Sequence, residues 1–329
     1  MKIVRELAGL PEALQEMRPA GSALRTVAAI GNFDGVHCGH QQIIRRVLER
    51  ARAMDALAIA VTFDPHPVAL LYPERAPKLI TPIPERLRLL EETGLDATVV
   101  IPFTREFALQ SAREFAQKVL CERLRVAEVH EGDTFRFGHD AAAGIAELTE
   151  LGAELGFVVV SHGALTVRGV AVSSSEVRRR IAAGQLRMAQ ALLGRPFAVL
   201  STPARGRGVG TQMKTPTINA AAYHELLPPY GVYVTRVRIG ADARTFDAVT
   251  NVGVRPTFKD AGFAVESHLL DGPPPVELTE ETPVEVSFLM RLREERRFPT
   301  AEALRAQIGR DVVRARRYFR RTQRVAGSG

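Results

Sequence analysis

The chain has little cysteine. Only Cys38 and Cys121 occur in 329 residues, which excludes a disulfide framework and a four-cysteine zinc site and suits a reducing compartment. No apolar run is long enough to span a bilayer. No signal-peptide core follows Met1-Lys2-Ile3-Val4. A cytoplasmic protein with no membrane partner is the expectation. A Walker A loop is missing too, since no Gly precedes a Lys-Ser or Lys-Thr pair at the needed spacing, and no internal repeat is visible. Basic residues outside one segment are nearly balanced: Arg310–Arg324 holds seven arginines against one acid, Asp311, and so carries most of the net charge of +7. That segment reads as the solvated face of a helix, which argues against a nucleic-acid partner.

The hydrophobic fraction of 46% and charged fraction of 25% are those of an ordinary globular protein. A chain of this length exceeds one comfortable core, so two domains are expected. Apolar, β-branched runs at Thr26–Ile30, Leu57–Phe63, Ala97–Phe103, Val126–Val129 and Phe157–Val160 read as buried strands. Helical periodicity separates them at Gln41–Met54, Pro84–Gly94, Ala112–Leu124 and Ala142–Leu155. Such alternation predicts a parallel sheet with helices on both faces, and ligands outside the carboxyl ends of its strands near a switch in strand order. Ser175–Leu193 reads as one helix. From Phe197 the pattern becomes β-rich, with Tyr230–Ile239, Ala248–Val254, Val265–Leu270 and Val284–Leu292 separated by Pro and Gly clusters, then a helix over Thr300–Arg321. This predicts a small antiparallel barrel closed by a terminal helix. The boundary falls near Gly184–Gly194, giving domains 1–188 and 189–329.

The run Gly31-Asn32-Phe33-Asp34-Gly35-Val36-His37-Cys38-Gly39-His40 joins the first long strand to a helix. Its glycines allow backbone geometries and close approaches that side chains would block. The helix start offers unpaired N–H groups and a positive dipole end to an anion. His37 and His40 are three apart and share one face of the first turn, and Gly39 leaves room for a phosphate. Two imidazoles so placed can stabilise charge that builds on an α-phosphate. A metal site on His37, Cys38 and His40 would need further ligands that do not lie nearby in sequence.

This run resembles the His-x-Gly-His nucleotidylyltransferases and, over its ten residues, the adenylyltransferase half of the bacterial bifunctional riboflavin kinase/FMN adenylyltransferases (FAD synthetases). Three further segments are similar to that family: Val61-Thr62-Phe63-Asp64-Pro65-His66-Pro67, Gly132-Asp133-Thr134-Phe135-Arg136-Phe137-Gly138 and Val172-Ser173-Ser174-Ser175-Glu176-Val177-Arg178. The resemblance implies an α/β Rossmann-like nucleotidylyltransferase domain in which the phosphate of FMN displaces pyrophosphate from ATP. It places nucleotide contacts on Gly31, Asn32, Phe33, Asp34, Gly35, Gly39, Ser174 and Ser175. Flavin contacts fall on Phe63, Asp64, Pro65, His66, Phe135 and Arg136. His37, His40 and Arg178 would be catalytic. Thr134 stands where the family has Asn or Asp, so no role is carried onto it.

The second half resembles the family's small β-barrel riboflavin kinase-like domain with its C-terminal helix. Thr215-Pro216-Thr217-Ile218-Asn219 looks like its Pro-Thr-Ala-Asn motif, and Gly231-Val232-Tyr233 its Gly-Val-Tyr strand. Asn251-Val252-Gly253-Val254-Arg255-Pro256-Thr257-Phe258 and Glu266-Ser267-His268-Leu269-Leu270-Asp271 are similar to further family segments. By that resemblance Thr217 and Asn219 hold Mg²⁺, Asn251 and Arg255 meet the flavin, and Glu266 takes the proton of the riboflavin 5′-hydroxyl as ATP gives up its γ-phosphate. Gly206, Gly208 and Gly210 would cradle phosphates. Gly210-Thr211-Gln212-Met213-Lys214-Thr215 departs from the family's Gly-Arg-x-Leu-Gly-Phe, leaving Lys214 to supply the charge. The implied partners are riboflavin, FMN, FAD and ATP, with a homo-oligomer left open. The competing readings are a monofunctional FAD synthetase with a regulatory kinase-like domain and an RNA binder using the basic tail.

Overall fold

A computed structural model describes residues 1–326 except 20, 205–216, 222–225, 241–243, 255–262 and 273–277. The chain divides into two compact units, Met1–Ser174 and Ser175–Gly329.

The first unit is built on six parallel strands: β1 Lys2–Val4, β2 Thr26–Ile30, β3 Leu57–Asp64, β4 Ala97–Pro102, β5 Val126–Gly132 and β6 Val158–His162, in the order β1-β4-β3-β2-β5-β6. Every residue of β2 is buried, because helices cover both faces. Ala28 and Ile30 pack with Ile59, Val61, Phe115 and Leu148 on one side. Val27 and Ala29 pack with Ile44, Val47, Leu89 and Leu90 on the other. Alternate residues of one strand thus feed two cores, so a strand buried on both faces reads as an unbroken apolar run. The order reverses at β2: β3 and β4 lie to one side of it and β5 and β6 to the other. The loop after β2 therefore opens at a topological switch point, where a ligand crevice is expected.

The predicted strands and main helices of this unit are present. Among the short elements that escaped the sequence are β1 and the helix Leu10–Gln15. Both are shorter than a period-based reading resolves. After β6 come a short antiparallel pair, β7 Thr166–Val167 and β8 Val170–Ala171.

In the second unit the expected single helix over Ser175–Leu193 is two, Ser174–Ala182 and Leu186–Leu193. Gly184, at φ +69°, sits between them. A residue in the left-handed region ends an α-helix, and here Gln185 N–H caps Arg180 O at 2.9 Å. Six antiparallel strands follow: β9 Phe197–Ser201, β10 Thr217–Asn219, β11 Gly231–Ile239, β12 Arg244–Val254, β13 Phe263–Leu269 and β14 Val284–Glu294, in the order β10-β13-β12-β11-β14-β9. The sheet curls until its ends meet: Pro203 bridges Ala220, and Ala204 N–H and Ala221 N–H bond Asn219 O and Thr202 O at 2.7 and 2.8 Å. Barrel closure is one way to remove exposed edges. The helix Ala301–Ala326 packs Ala315 and Phe319 against Val232, Val234 and Val249. Its Gln307, Asp311, Ala315 and Phe319, four apart, form the buried stripe, while Arg310, Arg314, Arg317 and Arg321 face solvent. Among the described residues no helix is long and apolar enough to cross a membrane.

Candidate active sites

The loop after β2 holds an unusual backbone. Phe33, Gly35 and Val36 have φ of +47°, +84° and +38°. For a β-branched valine that region is strained, and burial holds it: Phe33 and Val36 are each 2% exposed. Val36 N–H donates to Phe33 O at 2.9 Å, and Gln41 Nε2 donates to Val36 O at 2.8 Å. The carboxylate of Asp34, 1% exposed, accepts from Ile80 N–H (3.0 Å), Thr81 N–H (2.9 Å) and the Thr81 hydroxyl (3.2 Å). Asp34 thus staples the loop to the segment before helix Ile83–Glu91. Gly35 N–H donates to Thr81 Oγ1 at 2.8 Å, and the Ser174 hydroxyl donates to Asp34 O at 2.9 Å.

The helix Cys38–Ala53 starts on this platform. His37 is its N-cap: Nδ1 accepts from His40 N–H at 3.3 Å. That assigns the neutral ring its proton at Nε2. The two imidazoles stack with centroids 3.6 Å apart and 13° between planes, and the Phe33 ring meets His40 edge-on at 5.1 Å. A Cβ on Gly39 would lie 3.3 Å from two atoms of the His37 ring, so only glycine leaves that space open. The pair on one face, expected from spacing, is present. Among the described residues no group of three His, Cys, Asp or Glu could hold a metal.

Phe63 and Phe135 belong to one row of aromatic rings that runs through Phe103, Phe107, Phe115 and Phe137, with centroids 5.5 to 6.2 Å apart. Asp64 and Pro65 make a cis turn, and His66 Nδ1 caps Val68 N–H at 3.2 Å. Arg136 is spent on its own loop, donating to Ala141 O and Ala142 O at 3.0 Å each. Ser175 and Arg178 lie in the opening turns of helix Ser174–Ala182, where Glu176 pairs with Arg179 and Arg180 and is held near pKa 2 by them.

In the second unit, strand register assembles the site. Asn219 on β10 is directly opposite Glu266 on β13, which is directly opposite Asn251 on β12. Residues opposite one another share a sheet face, so these three stand in one row. Thr217, two residues from Asn219 and opposite His268, shares that face. Glu266 is exposed, and Asn219 and Asn251 are half-buried. The adjoining row, Ile218, Ser267 and Thr250, points into the packed interior, where the hydroxyls of Thr235, Thr250 and Ser267 bond in series at 2.6 and 2.8 Å. Gly206, Gly208, Gly210, Lys214 and Arg255 lie outside the described residues.

The FAD synthetase family model matches residues 21–176, and the riboflavin kinase model matches 193–319. The bifunctional riboflavin kinase/FMN adenylyltransferase of Escherichia coli K12 is 34% identical over 97% of this chain and 98% of its own. The chain belongs to this family. The same-named protein of Pseudomonas fluorescens is 35% identical over 93% of this chain and 96% of its own. A solved structure described as a macrolide-efflux protein from Streptococcus pneumoniae superposes with a TM-score of 0.80 at 25% identity. It covers 90% of this chain and 95% of that one; efflux is said of that protein.

In this family member, sequence reasoning missed the layer behind the first loop. Thr62 donates to Asn32 O at 3.2 Å. Arg86, only 1% exposed, reaches Thr62 Oγ1 and Thr81 O at 3.4 Å each. Arg86 sits in a helical pattern whose charges read as surface. Only packing reveals it as interior. Glu131, on β5 and only 4% exposed, is likewise placed inside by packing alone.

A second polar cluster also went unread. Glu128 accepts from Arg50 at 2.8 to 3.1 Å and bonds His130 Nε2 at 2.7 Å, and His130 Nδ1 lies 2.9 Å from His162 Nε2. These groups line a recess of about 380 Å³ with Arg46, Val158 and Val160. Arg50 holds the Glu128 carboxyl below its usual range. Burial depresses His130, and burial and then Arg46 depress His162. Both folded values lie below the reference of 6.5, so as pH falls the unfolded chain takes up protons first. The stability these neutral rings contribute is present above about pH 6.5 and is lost below it, towards the folded values. The melting temperature should therefore be lower at pH 5.5 than at 7.5, and His162→Gln should flatten that difference. Parallel melting curves for both proteins at both pH values check this.

Proposed function

We propose that this chain converts riboflavin and ATP to FMN in its second unit, then FMN and ATP to FAD and pyrophosphate in its first, in the cytoplasm. The stacked His37–His40 pair at a helix N-terminus carries the second of these assignments. In adenylyl transfer an FMN phosphate oxygen attacks the α-phosphorus of ATP, and the bond to the β,γ-pyrophosphate breaks. No covalent intermediate is needed, so catalysis rests on positioning and on stabilising charge. His37, with its Nε2 proton, and His40 donate to the α-phosphate. Gly31, Asn32, Gly35, Gly39, Ser174 and Ser175 hold the nucleotide, and Arg178 holds the departing pyrophosphate. Asp34 and Arg136 act through the loops that they staple, while Phe63, Asp64, Pro65, His66 and Phe135 offer the flavin a surface.

In the kinase unit Glu266 takes the proton of the 5′-hydroxyl as its oxygen bonds the γ-phosphorus and ADP leaves. Thr217 and Asn219 present oxygen ligands on one face beside that carboxylate, a donor set that fits Mg²⁺. The ion would neutralise phosphate charge. One chromatogram tests the whole reading. Protein incubated with riboflavin, ATP and Mg²⁺ is expected to yield FMN and then FAD. FAD from supplied FMN, with none from riboflavin, would reject the kinase half.

A further inference from the structure

In a parallel strand, successive amides point alternately to the two neighbours. Gly31 N–H bonds Val61 O on β3 at 2.9 Å, so the amide of Ile30 points towards β5. The ladder between β2 and β5, however, ends one residue earlier, at Ala29 and His130. On the far sides, pairing runs on: Ile30 still matches Val61, and β5 stays with β6 through Gly132 and His162. The β2–β5 ladder stops at the switch point, which would leave the Ile30 amide buried with no acceptor. The side chain of Glu131 fills that gap. It is 4% exposed, and its Oε1 accepts from Ile30 N–H.

We infer that Glu131 is a positioning residue for adenylyl transfer: its carboxyl group replaces the missing strand partner of Ile30 and sets the point from which the Gly31–His40 loop departs. The inference rests on reading that loop as the adenylyl site. Burial pushes the Glu131 carboxyl well above the usual range, opposed only by the Ile30 bond. Burial thus favours the uncharged acid, whose carbonyl oxygen can accept from the amide. Glutamine offers the same acceptor on a chain of the same length, leucine offers none, and aspartate is one methylene short.

The experiment uses the full chain as wild type, Glu131→Gln, Glu131→Leu, Glu131→Asp and His40→Ala. KM and kcat for ATP are measured in FMN adenylylation and, on the same preparations, in riboflavin phosphorylation. Glu131→Leu should raise the adenylylation KM for ATP about tenfold, as expected for a buried amide left without its acceptor. Glu131→Gln should match wild type, and the kinase KM should not move. Should the leucine variant fail to fold, the aspartate variant decides, with a raised KM expected. An unchanged KM in the deciding variant, or equal damage from glutamine, overturns the inference. Wild-type FAD formation by His40→Ala would instead overturn the site reading beneath it.

Discussion

His40→Ala is expected to lower kcat for FAD formation about 10²–10³-fold, the cost of deleting one preorganised donor to developing negative charge. Its riboflavin kinase activity should stay at the wild-type level. His40 is the better target of the pair because His37 has a second job. The Nδ1 of His37 caps the helix that presents both rings, so His37→Ala also removes a cap worth about 1 kcal/mol. The His40 ring lies stacked on His37 and edge-on to Phe33. Its removal uncovers one ring face and leaves the Asp34 staple in place. Steady-state assays of FAD formation and of riboflavin phosphorylation on one preparation separate lost chemistry from lost folding. A variant with unchanged FAD formation would reject the charge-stabilising role.

Glu266→Gln should do the converse. Its kinase rate should fall about 10²–10⁴-fold, the range for loss of a general base, with FAD formation from supplied FMN unaffected. The amide keeps the size and polarity of the side chain but cannot take up the hydroxyl proton. Glu266 is exposed on its strand, so the substitution leaves no buried group without a partner and the melting temperature should hold. Asn219 and Asn251 flank it in register. If their role is to orient ligands and not to move protons, their alanine variants should raise KM more than they lower kcat. Full kinase rate in Glu266→Gln would remove the base from the mechanism.

Much of the architecture was legible along the chain. β2, β3 and β4 bury almost every side chain, and such strands stand out as unbroken apolar runs. The alternation with helices then implied the parallel sheet. The pair His37 and His40 was legible because a helix turn brings residues three apart together. The buried polar groups escaped for one cause. Arg86, His130 and Glu131 lie outside the runs that read as buried strands, yet each is buried, and Thr62 and Glu128 have partners far along the chain. Whether a polar group lies inside depends on partners distant in sequence: Arg86 meets Thr62, and Glu131 meets Ile30. The split of Ser175–Leu193 at Gly184 escaped for a local reason. A glycine inside a helical pattern is tolerated or ends the helix according to the backbone angle it adopts.

The sequence alone determined the two fold classes, the family, and the chemical types at each site, because these depend on local periodicity and on residues close along the chain. The tertiary structure decided which partners each of those groups meets. Asp34 accepts from the amides of Ile80 and Thr81, and Arg136 donates to the carbonyls of Ala141 and Ala142, partners that the motifs alone do not show. Glu266 gains Asn219 and Asn251 as neighbours only through strand register, across 47 and 15 residues of chain. Hydrogen bonds and register connect positions that sequence spacing does not relate. That is why the motif residues could be named from the sequence, while their partners had to come from the fold.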